Sequence, residues 1–406
     1  MSFPEELHLA SGPVSASVAA SEHAMMITPR AESVSITELC RRSLAEPLGY
    51  PEVTRCVVPG DRIVVAVDPE TPFVIELICA VCEQLQTIPD GGVQLTLLLP
   101  DDPSKEGWSW LMEQLPVHIL EQLTVHIHNP ADQASISYLA SSANGERIYL
   151  NQLLTDADLI VSVGFIAFDS LLGFRGTSSS LFPAFSDLQT RQGHHSQGHP
   201  ELSPDQQRVY RELVDEVGWL LGTQFTIQVV PGTASHPAAI LCGMPDVVME
   251  RGRELVNEIW RVSLEEPVDA IVLTVPGGTP FGWKQLGQAL EQASSMVLQG
   301  GRIIAIADLP EPQGPAAALL RRSQEPDELL KPLRREPTTD SIEIAQLIQA
   351  QRRARVYLLS RLSPEVVEEL GMIPIASSEE LRRLVATFTN CRIIPFANYS
   401  WCSVDD

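Results

Sequence analysis

Short, continuous runs of valine, isoleucine and leucine recur along this chain and alternate with segments of helical periodicity. The first four runs are RIVVAVD (62–68), VQLTLLLP (93–100), LTVHIHNP (123–130) and ADLIVSVGF (157–165). Such runs are typical of strands in a parallel sheet, because helices cover both faces of that sheet. The alternation therefore predicts an α/β fold with open, mostly parallel sheets flanked by helices, whose ligands bind at the carboxyl ends of the strands.

The length of 406 residues exceeds what one small hydrophobic core supports, so we expect two α/β domains with a cleft between them. Four more apolar runs follow, FTIQVVPG (225–232), DAIVLTVPGG (269–278), GGRIIAIADLP (300–310) and RARVYLLSRL (353–362). We place the first domain at residues 1–205 and the second at residues 206–406, and the last strand is a candidate to cross back. The polar, alternating residues 1–35 predict a β-hairpin or an extended arm.

The formal net charge of −24 argues against partners that bind through a basic surface. Such a chain repels phosphate backbones and anionic membranes, so we expect a small-molecule substrate and neither nucleic acid nor membrane as a partner. No run of about 18 apolar residues could span a membrane, and the first residues, MSFPEELHLASG, lack the basic and apolar parts of a signal peptide. Seven scattered cysteines indicate free thiols in a reducing compartment, which predicts a cytoplasmic protein.

The most informative segment runs from the strand at 157–165 through the loop GFRGTSSS (173–180) to the pair His194 and His195. A glycine-rich loop directly after a buried strand presents backbone N–H groups to an anionic ligand. Arg175 is the only cation of that loop and could bind a phosphate. Histidine-rich segments bind divalent metal ions readily, so the histidine pair is a candidate metal site.

These segments resemble the nickel-pincer lactate racemases, whose equivalent loop reads roughly Gly-Tyr/Phe-Ser-Gly-Gly-Arg-Lys and precedes a metal-binding histidine. The resemblance extends from about Ile36 to the strand at 353–362. It implies a nickel-pincer nucleotide as the cofactor and racemisation of a 2-hydroxy acid by reversible hydride transfer. In that family the loop lysine holds the cofactor covalently, and two histidines exchange the α-proton of the substrate.

Three strand ends correspond to functional segments of that family. Asp68, in DPETP, matches the Asp of its Asp-x-Thr-Arg-Pro segment, and Thr71 stands where that segment has its arginine. An Asp-Pro turn that closes the strand explains Asp68 equally well. His128 matches one proton-transfer histidine and Asp169 stands at the position of the other, so the resemblance implies these two as the catalytic residues. An imidazole suits that role because its pKa lies near neutrality.

The serines of the loop replace the residues that bind the cofactor in the family. Ser179 stands at the lysine and Ser178 at the preceding arginine. Because a serine has no amine, any pincer nucleotide would be held without a covalent bond. The family's nickel-binding histidine lies sixteen residues after the lysine, and sixteen residues after Ser179 is His195. His195 is therefore the implied metal ligand, with His194 and His199 close enough in sequence to take its place.

A loop in the second half of the chain also resembles the family, and it also lacks one of the family's positive charges. VPGGTPFGW resembles the family's Gly-Gly-Tyr-Pro-Lys-Asp loop, with Phe281 in place of the lysine and Lys284 one helical turn further on. The predicted cofactor-contacting residues are Asp68, Thr71, Arg175, Gly176, Thr177, Ser178, Ser179, Gly277 and Gly278.

Three functional hypotheses follow. The first is a lactate racemase-like isomerase that acts on a 2-hydroxy acid or a related hydroxy compound with a non-covalently held nickel-pincer nucleotide. The second is a protein of the same fold that binds another small molecule without the pincer, and the third is a catalytically silent binding protein. Three retained residues favour the first hypothesis, namely Asp68, His128 and His195. Four replaced residues favour the others, namely Thr71, Asp169, Ser179 and Phe281. The missing cations also predict that lactate is a poor substrate.

Overall fold

The computed structural model describes residues 6–19, 34–88, 92–101, 107–193, 198–199 and 202–405. The chain divides into two compact units. The first unit consists of Pro29–Gly198 and Leu202–Glu258, and the second consists of Met1–Thr28, His199–Glu201 and Ile259–Asp406. Each unit is an α/β structure built around one mainly parallel sheet, as the sequence predicts.

The strands alternate with helices over most of the chain. In chain order the strands are β1 (Glu6–Ser11), β2 (Val14–Ala19), β3 (Arg62–Val67), β4 (Gln94–Leu99), β5 (Thr124–Ile127), β6 (Ile136–Ser141), β7 (Arg147–Asn151), β8 (Leu159–Phe165), β9 (Ala167–Asp169), β10 (Gly173–Arg175), β11 (Phe225–Val230), β12 (Ala239–Gly243), β13 (Arg261–Leu264), β14 (Val268–Thr274), β15 (Val297–Ile306), β16 (Ala354–Leu359), β17 (Ile373–Pro374), β18 (Cys391–Ile394) and β19 (Trp401–Val404).

The α-helices are α1 (Ile36–Ala45), α2 (Val74–Leu85), α3 (Ser109–Gln114), α4 (Val117–Leu120), α5 (Gln152–Thr155), α6 (Leu188–Gly193), α7 (Val209–Leu221), α8 (Pro245–Trp260), α9 (Trp283–Met296), α10 (Pro315–Leu320), α11 (Leu330–Arg335), α12 (Ser341–Arg353), α13 (Pro364–Glu369) and α14 (Ser378–Val385). Short 3₁₀ turns occur at Val53–Arg55, Gln133–Ser135, Thr177–Ser180, Pro326–Leu329 and Ala397–Tyr399. Over the described ranges, no helix combines the length and the apolar character needed to cross a membrane.

The sheet of the first unit has the strand order β12-β11-β8-β3-β4-β5. Its neighbouring strands are parallel, except that β12 pairs antiparallel with β11 at the edge. Strands β3, β8 and β11 are buried over nearly their whole length, which explains their continuously apolar sequences. Leu181 and Phe185, just after the glycine loop, pack against Val64 and Leu98 and fix that loop to the sheet.

The connections of this sheet reverse direction at β3. The chain runs from β3 outward to β4 and β5, and then returns to the other side of β3 as β8. The loops that leave β3 and β8 therefore diverge at the carboxyl ends of two neighbouring strands. Open α/β sheets bind ligands at such a point of reversal. We call residues 68–72 and 165–180, which follow these two strand ends, the switch-point site.

The sheet of the second unit has the order β17-β16-β15-β14-β18, with parallel pairs throughout. The predicted N-terminal hairpin is present as β1 and β2 and covers one face, where Leu7, Leu9 and Val18 pack with Val272 and Ile304. Helices α9 and α12 cover the opposite face of the sheet, toward which the alternating residues of β14 and β15 point. The rest of the predicted N-terminal arm, residues 20–33, lies outside the described residues.

The division between the units differs from the expected boundary at residue 205. It falls within α8, between Glu258 and Ile259, because β11 and β12 complete the first sheet. An apolar run predicts a buried strand but does not say which sheet contains it. The last strand, β19, pairs with β13 inside the second unit, so it does not cross back. Instead, the N-terminal hairpin belongs to the same unit as the C-terminal part of the chain.

Candidate functional site

The turn after β3 presents two carboxylates at the switch point. The backbone N–H of Asp68 donates to the Val163 carbonyl oxygen at 2.8 Å, which fixes the end of β3 to β8. The Asp68 carboxylate accepts a hydrogen bond from the Glu70 N–H at 3.1 Å, and the Asp68 carbonyl oxygen accepts from the N–H and the hydroxyl of Thr71. Thr71 is buried, and its hydroxyl is bonded within the turn. The side chains of this turn that can bind a partner are therefore those of Asp68 and Glu70.

Arg175 reaches these carboxylates from the end of β10. Its guanidinium pairs with the Asp68 carboxylate, donates from Nη1 to Glu70 Oε2 at 3.2 Å, and lies 4.0 Å from the ring centroid of Phe165. Between 12% and 17% of each of the three charged side chains is exposed. Burial opposes the charge, but the carboxylates of Asp68, Glu70 and Asp169 outweigh it and raise the pKa of Arg175. We call Asp68, Glu70 and Arg175 the ion cluster.

Asp169, one of the two predicted catalytic residues, lies at the end of β9 within the same site. Its Oδ1 accepts hydrogen bonds from the N–H groups of Leu171 and Leu172, both at 2.9 Å, and thereby closes the turn between β9 and β10. Its charge contributes to the raised pKa of Arg175. The other oxygen, Oδ2, accepts no hydrogen bond from any described residue, so it is the free acceptor that Asp169 offers to a ligand.

His128, the other predicted catalytic residue, directly follows β5. Its side chain is buried, and both ring nitrogens form hydrogen bonds. A carbonyl oxygen only accepts, so Nε2 donates to the Ser186 oxygen at 2.9 Å and Nδ1 accepts from the Asn151 amide at 3.0 Å. Burial lowers the pKa of His128, and the Ser186 bond opposes that shift. Strand β5 lies two positions from β3, roughly 10 Å at the usual strand spacing. In this arrangement His128 holds neighbouring segments together and offers no nitrogen to a ligand.

The glycines of the loop are required by its close packing. A Cβ added at Gly173 would lie 2.3 Å from the Pro204 carbonyl oxygen, and one at Gly176 would lie 2.7 Å from Ile166 Cγ1. Both glycines have positive φ angles, of 76° and 129°. Thr177 follows with a φ of 49°, a conformation that is uncommon for a β-branched residue. Contacts within the protein therefore fix the conformation of the glycine loop.

The loop serines also face inward. Ser179 Oγ accepts a hydrogen bond from the Gly176 N–H at 2.7 Å and so closes its own turn. Ser178 is buried, and its Oγ would lie 2.1 Å from a Cβ added at Gly218 of α7. Of these two predicted cofactor contacts, Ser179 thus closes the loop and Ser178 packs against α7.

Gly277 and Gly278, the predicted contacts of the second half, lie after β14 in the second unit. A Cβ added at Gly277 would lie 2.3 Å from the Gly12 nitrogen and 2.4 Å from the Ser11 carbonyl carbon. Ser11 also accepts a hydrogen bond at Oγ from the Asp308 N–H, 2.9 Å away. The turn of the N-terminal hairpin therefore occupies the space beside Gly277, whereas Gly278 has a φ of 81° and open space around it.

The predicted metal ligand is not part of the described structure. His194 and His195 lie outside the described residues, so metal binding by His195 stays a prediction. His199 is exposed and groups with the second unit. Within the ranges that the structure covers, no three His, Cys, Asp or Glu side chains group in a way that could hold a metal ion.

Two functional or supporting residues were missed by the sequence analysis. Glu70 could have been found from its place in the same strand-end turn as Asp68, since both follow β3 directly. No sequence signal points to Arg208, because its partners are backbone carbonyls. Buried Arg208 donates to the carbonyl oxygens of Ser170, Leu202, Ser203 and Gln206.

The first half of the chain is similar to a known protein family. Residues 10–203 match the family model of the lactate racemase N-terminal domain. The curated lactate racemase of Thermoanaerobacterium thermosaccharolyticum is 22% identical in an alignment of 283 residues. The match covers 65% of this chain and 65% of that protein, slightly under two thirds of its length.

Solved structures show the same fold. The lactate racemase apoprotein from T. thermosaccharolyticum matches with a TM-score of 0.77 at 16% identity, covering 99% of this chain and 100% of that one. A Thermotoga maritima protein matches with a TM-score of 0.67 at 13% identity, covering 93% and 100%. The resemblance to lactate racemases is thereby confirmed.

The side chains present at the switch point do not fit the covalent attachment of a pincer nucleotide. Ser179 has no amine, and its hydroxyl is bonded to Gly176. Arg175 is paired with two carboxylates, and the Thr71 hydroxyl is bonded to a carbonyl oxygen. The loop thus lacks the lysine that the resemblance implies for covalent attachment of the cofactor.

Proposed function

We propose that this chain is a racemase-like family member that binds a small, uncharged hydroxy compound at the switch-point site and does not racemise lactate. The ion cluster is the observation that carries the proposal. Arg175 is the only cation of its loop, and its charge is already balanced by Asp68 and Glu70.

Charge decides between an anionic and a neutral ligand. Lactate binding depends on charge-assisted hydrogen bonds, each contributing about 1.5–3 kcal/mol. At the switch point, three carboxylates surround one guanidinium, so a carboxylate ligand meets net negative charge. A neutral hydroxyl can instead donate to the free Oδ2 of Asp169. The site therefore favours hydroxyl groups over carboxylates.

The test compares two ligands that share a carbon skeleton, L-lactate and (S)-1,2-propanediol, by isothermal titration. We expect the diol to bind at least about tenfold more tightly, and Asp169→Asn to weaken its binding while the exposed control Asp156→Asn does not. We also expect no D-lactate to form from L-lactate. Tighter binding of lactate, or its racemisation, would contradict the proposal.

A second candidate is an isomerase of 2-hydroxy acids with a pincer nucleotide held non-covalently. It is supported by the family match and by Asp68, which occupies the end of β3 as the resemblance implies. Its test is nickel analysis of protein produced together with the pincer-making enzymes, followed by intact-mass spectrometry after denaturation. Bound nickel with the mass of the bare chain supports this candidate, and absence of nickel removes it.

A further inference from the structure

Two arginines lie in direct register on neighbouring strands of the second unit. Arg302 of β15 is the partner of Arg355 of β16 in their parallel ladder. Neighbouring strands are about 4.8 Å apart, so the two side chains leave the sheet side by side. They point toward the face that the N-terminal hairpin covers, because Ile304, two residues after Arg302, packs with that hairpin. We call Arg302 and Arg355 the arginine pair.

The arginine pair lacks a counter-charge. Neither guanidinium forms an ion pair with a carboxylate of the described residues, whereas Arg352, which precedes β16, pairs with Asp327 at 3.7 Å. Like charges directly opposite one another on neighbouring strands destabilise a sheet. The chain has 52 Asp and Glu residues against 28 Lys and Arg residues, so carboxylates are abundant. Two adjacent cations without one therefore indicate that an anion from outside the chain binds here.

The surroundings of the arginine pair orient one guanidinium and leave the other accessible. Arg302 is half-buried, and its Cζ lies 5.6 Å from the ring centroid of Phe388, a cation–π contact that restricts its position. Arg355 is exposed, and Tyr357, two residues further along the same face of β16, is half-buried. Gly300 has a φ of 79° and open space around it. A small anion can therefore approach from solvent and contact both guanidinium groups.

We propose that the arginine pair binds a phosphate group, either free or carried by a phosphorylated small molecule. A guanidinium presents a planar fork of N–H donors that matches phosphate oxygens. At neutral pH a phosphate carries nearly two negative charges, so one group neutralises both Arg302 and Arg355 and bridges them. A carboxylate would neutralise only one of the two. The site lies within the second unit and does not depend on the function proposed for the switch point.

The test uses three probes in phosphate-free buffer of low ionic strength, namely inorganic phosphate, glycerol 3-phosphate and acetate. Binding is measured by titration while amide NMR shifts locate the site. We expect both phosphates to bind at least about tenfold more tightly than acetate, with shifts at residues 300–304 and 354–357. Tighter binding of glycerol 3-phosphate supports a phosphorylated small molecule, and equal binding of the two supports free phosphate. Equal binding of acetate, or shifts only elsewhere, would overturn the proposal.

Matched variants separate the pair from the general charge of the chain. Arg355→Gln should weaken phosphate binding about tenfold or more, whereas Arg322→Gln, the same change at another exposed arginine of the second unit, should leave it unchanged.

Thermal unfolding supplies a second readout. Without phosphate, Arg355→Gln should unfold at the same temperature as the wild type or a higher one, because it removes the repulsion from Arg302. Added phosphate should raise the midpoint of the wild type and of Arg322→Gln, and should raise that of Arg355→Gln much less. Undiminished phosphate affinity in Arg355→Gln, or an equal rise of the midpoint in all three proteins, would refute the site.

Discussion

Positions 71 and 175 both differ from the family that the chain resembles. The resemblance places an arginine at position 71 and a serine at position 175. Here Thr71 is buried in the turn, and Arg175 reaches Asp68 of that turn from the neighbouring loop. A guanidinium still lies beside Asp68, but it is supplied by the loop of β8 and is shielded from solvent. The cation that could bind a substrate has become a link between the two loops.

Arg175→Met should destabilise the protein more than any loss of an exposed ion pair. The substitution leaves Asp68 and Glu70 largely buried without a counter-charge, so we expect a loss of about 3 kcal/mol in the free energy of unfolding. The control is Arg191→Met, which removes the more exposed pair with Asp101 and should cost less than about 1 kcal/mol. Urea unfolding measures both, and equal midpoints for the two variants would refute the structural role of Arg175.

His128 makes stability depend on pH in a defined direction. Burial lowers its pKa in the folded protein, so between that value and the unfolded value of about 6.5 the unfolded chain binds more protons. Its contribution is complete above about pH 6.5 and is lost as the pH falls below that value.

In His128→Gln the decline should be shallower than in the wild type, by up to about 1.4 kcal/mol per pH unit. His118→Gln, a change at an exposed histidine, should reproduce the wild-type slope. Free energies of unfolding measured from about pH 7.5 down to about pH 5.5 decide the matter. Identical slopes for His128→Gln and wild type would show that His128 is not held neutral by the fold.

At the scale of elements, the hairpin β1–β2 depends on one glycine of another loop. Gly277→Ala should displace the hairpin turn, because the new Cβ would lie 2.3 Å from the Gly12 nitrogen. We expect a loss of about 1–3 kcal/mol, as for other overpacked sites. Gly193→Ala, with open space around it, should change stability by less than about 0.5 kcal/mol. Thermal unfolding compares the two, and an unchanged transition in Gly277→Ala would show that the turn can move aside.

The elements themselves were largely predictable, because a continuous apolar run leaves few alternatives to a buried strand. Strand β3, which Asp68 follows directly, and strand β8, which ends at Phe165, agree with the sequence analysis. What the pattern could not supply was the long-range pairing of β3 with β8, which sets Arg175 against Asp68. For the same reason it could not show that His128 is saturated by backbone and amide partners distant in sequence.

At the scale of the molecule, the second unit is assembled from both ends of the chain. Deleting residues 1–19 should expose the face of β14 and β15 that Leu7, Leu9 and Val18 cover. The loss of several buried aliphatic side chains, each contributing about 1.5–3 kcal/mol, should lower the unfolding midpoint substantially. Deletion of residues 2–5 is the control for a shortened N-terminus. An unchanged midpoint after the longer deletion would contradict the role of the hairpin.

Because the hairpin and β14 lie far apart in the sequence, they are synthesised at different times. The hairpin leaves the ribosome before the strand that it covers, β14, which begins about 250 residues later. At roughly 5–20 residues per second, the hairpin waits on the order of ten seconds or more for its partner. An isolated two-stranded hairpin is marginally stable in water, so its apolar side chains stay exposed during this interval. The nascent hairpin is therefore a segment whose apolar residues a chaperone would protect until β14 is made.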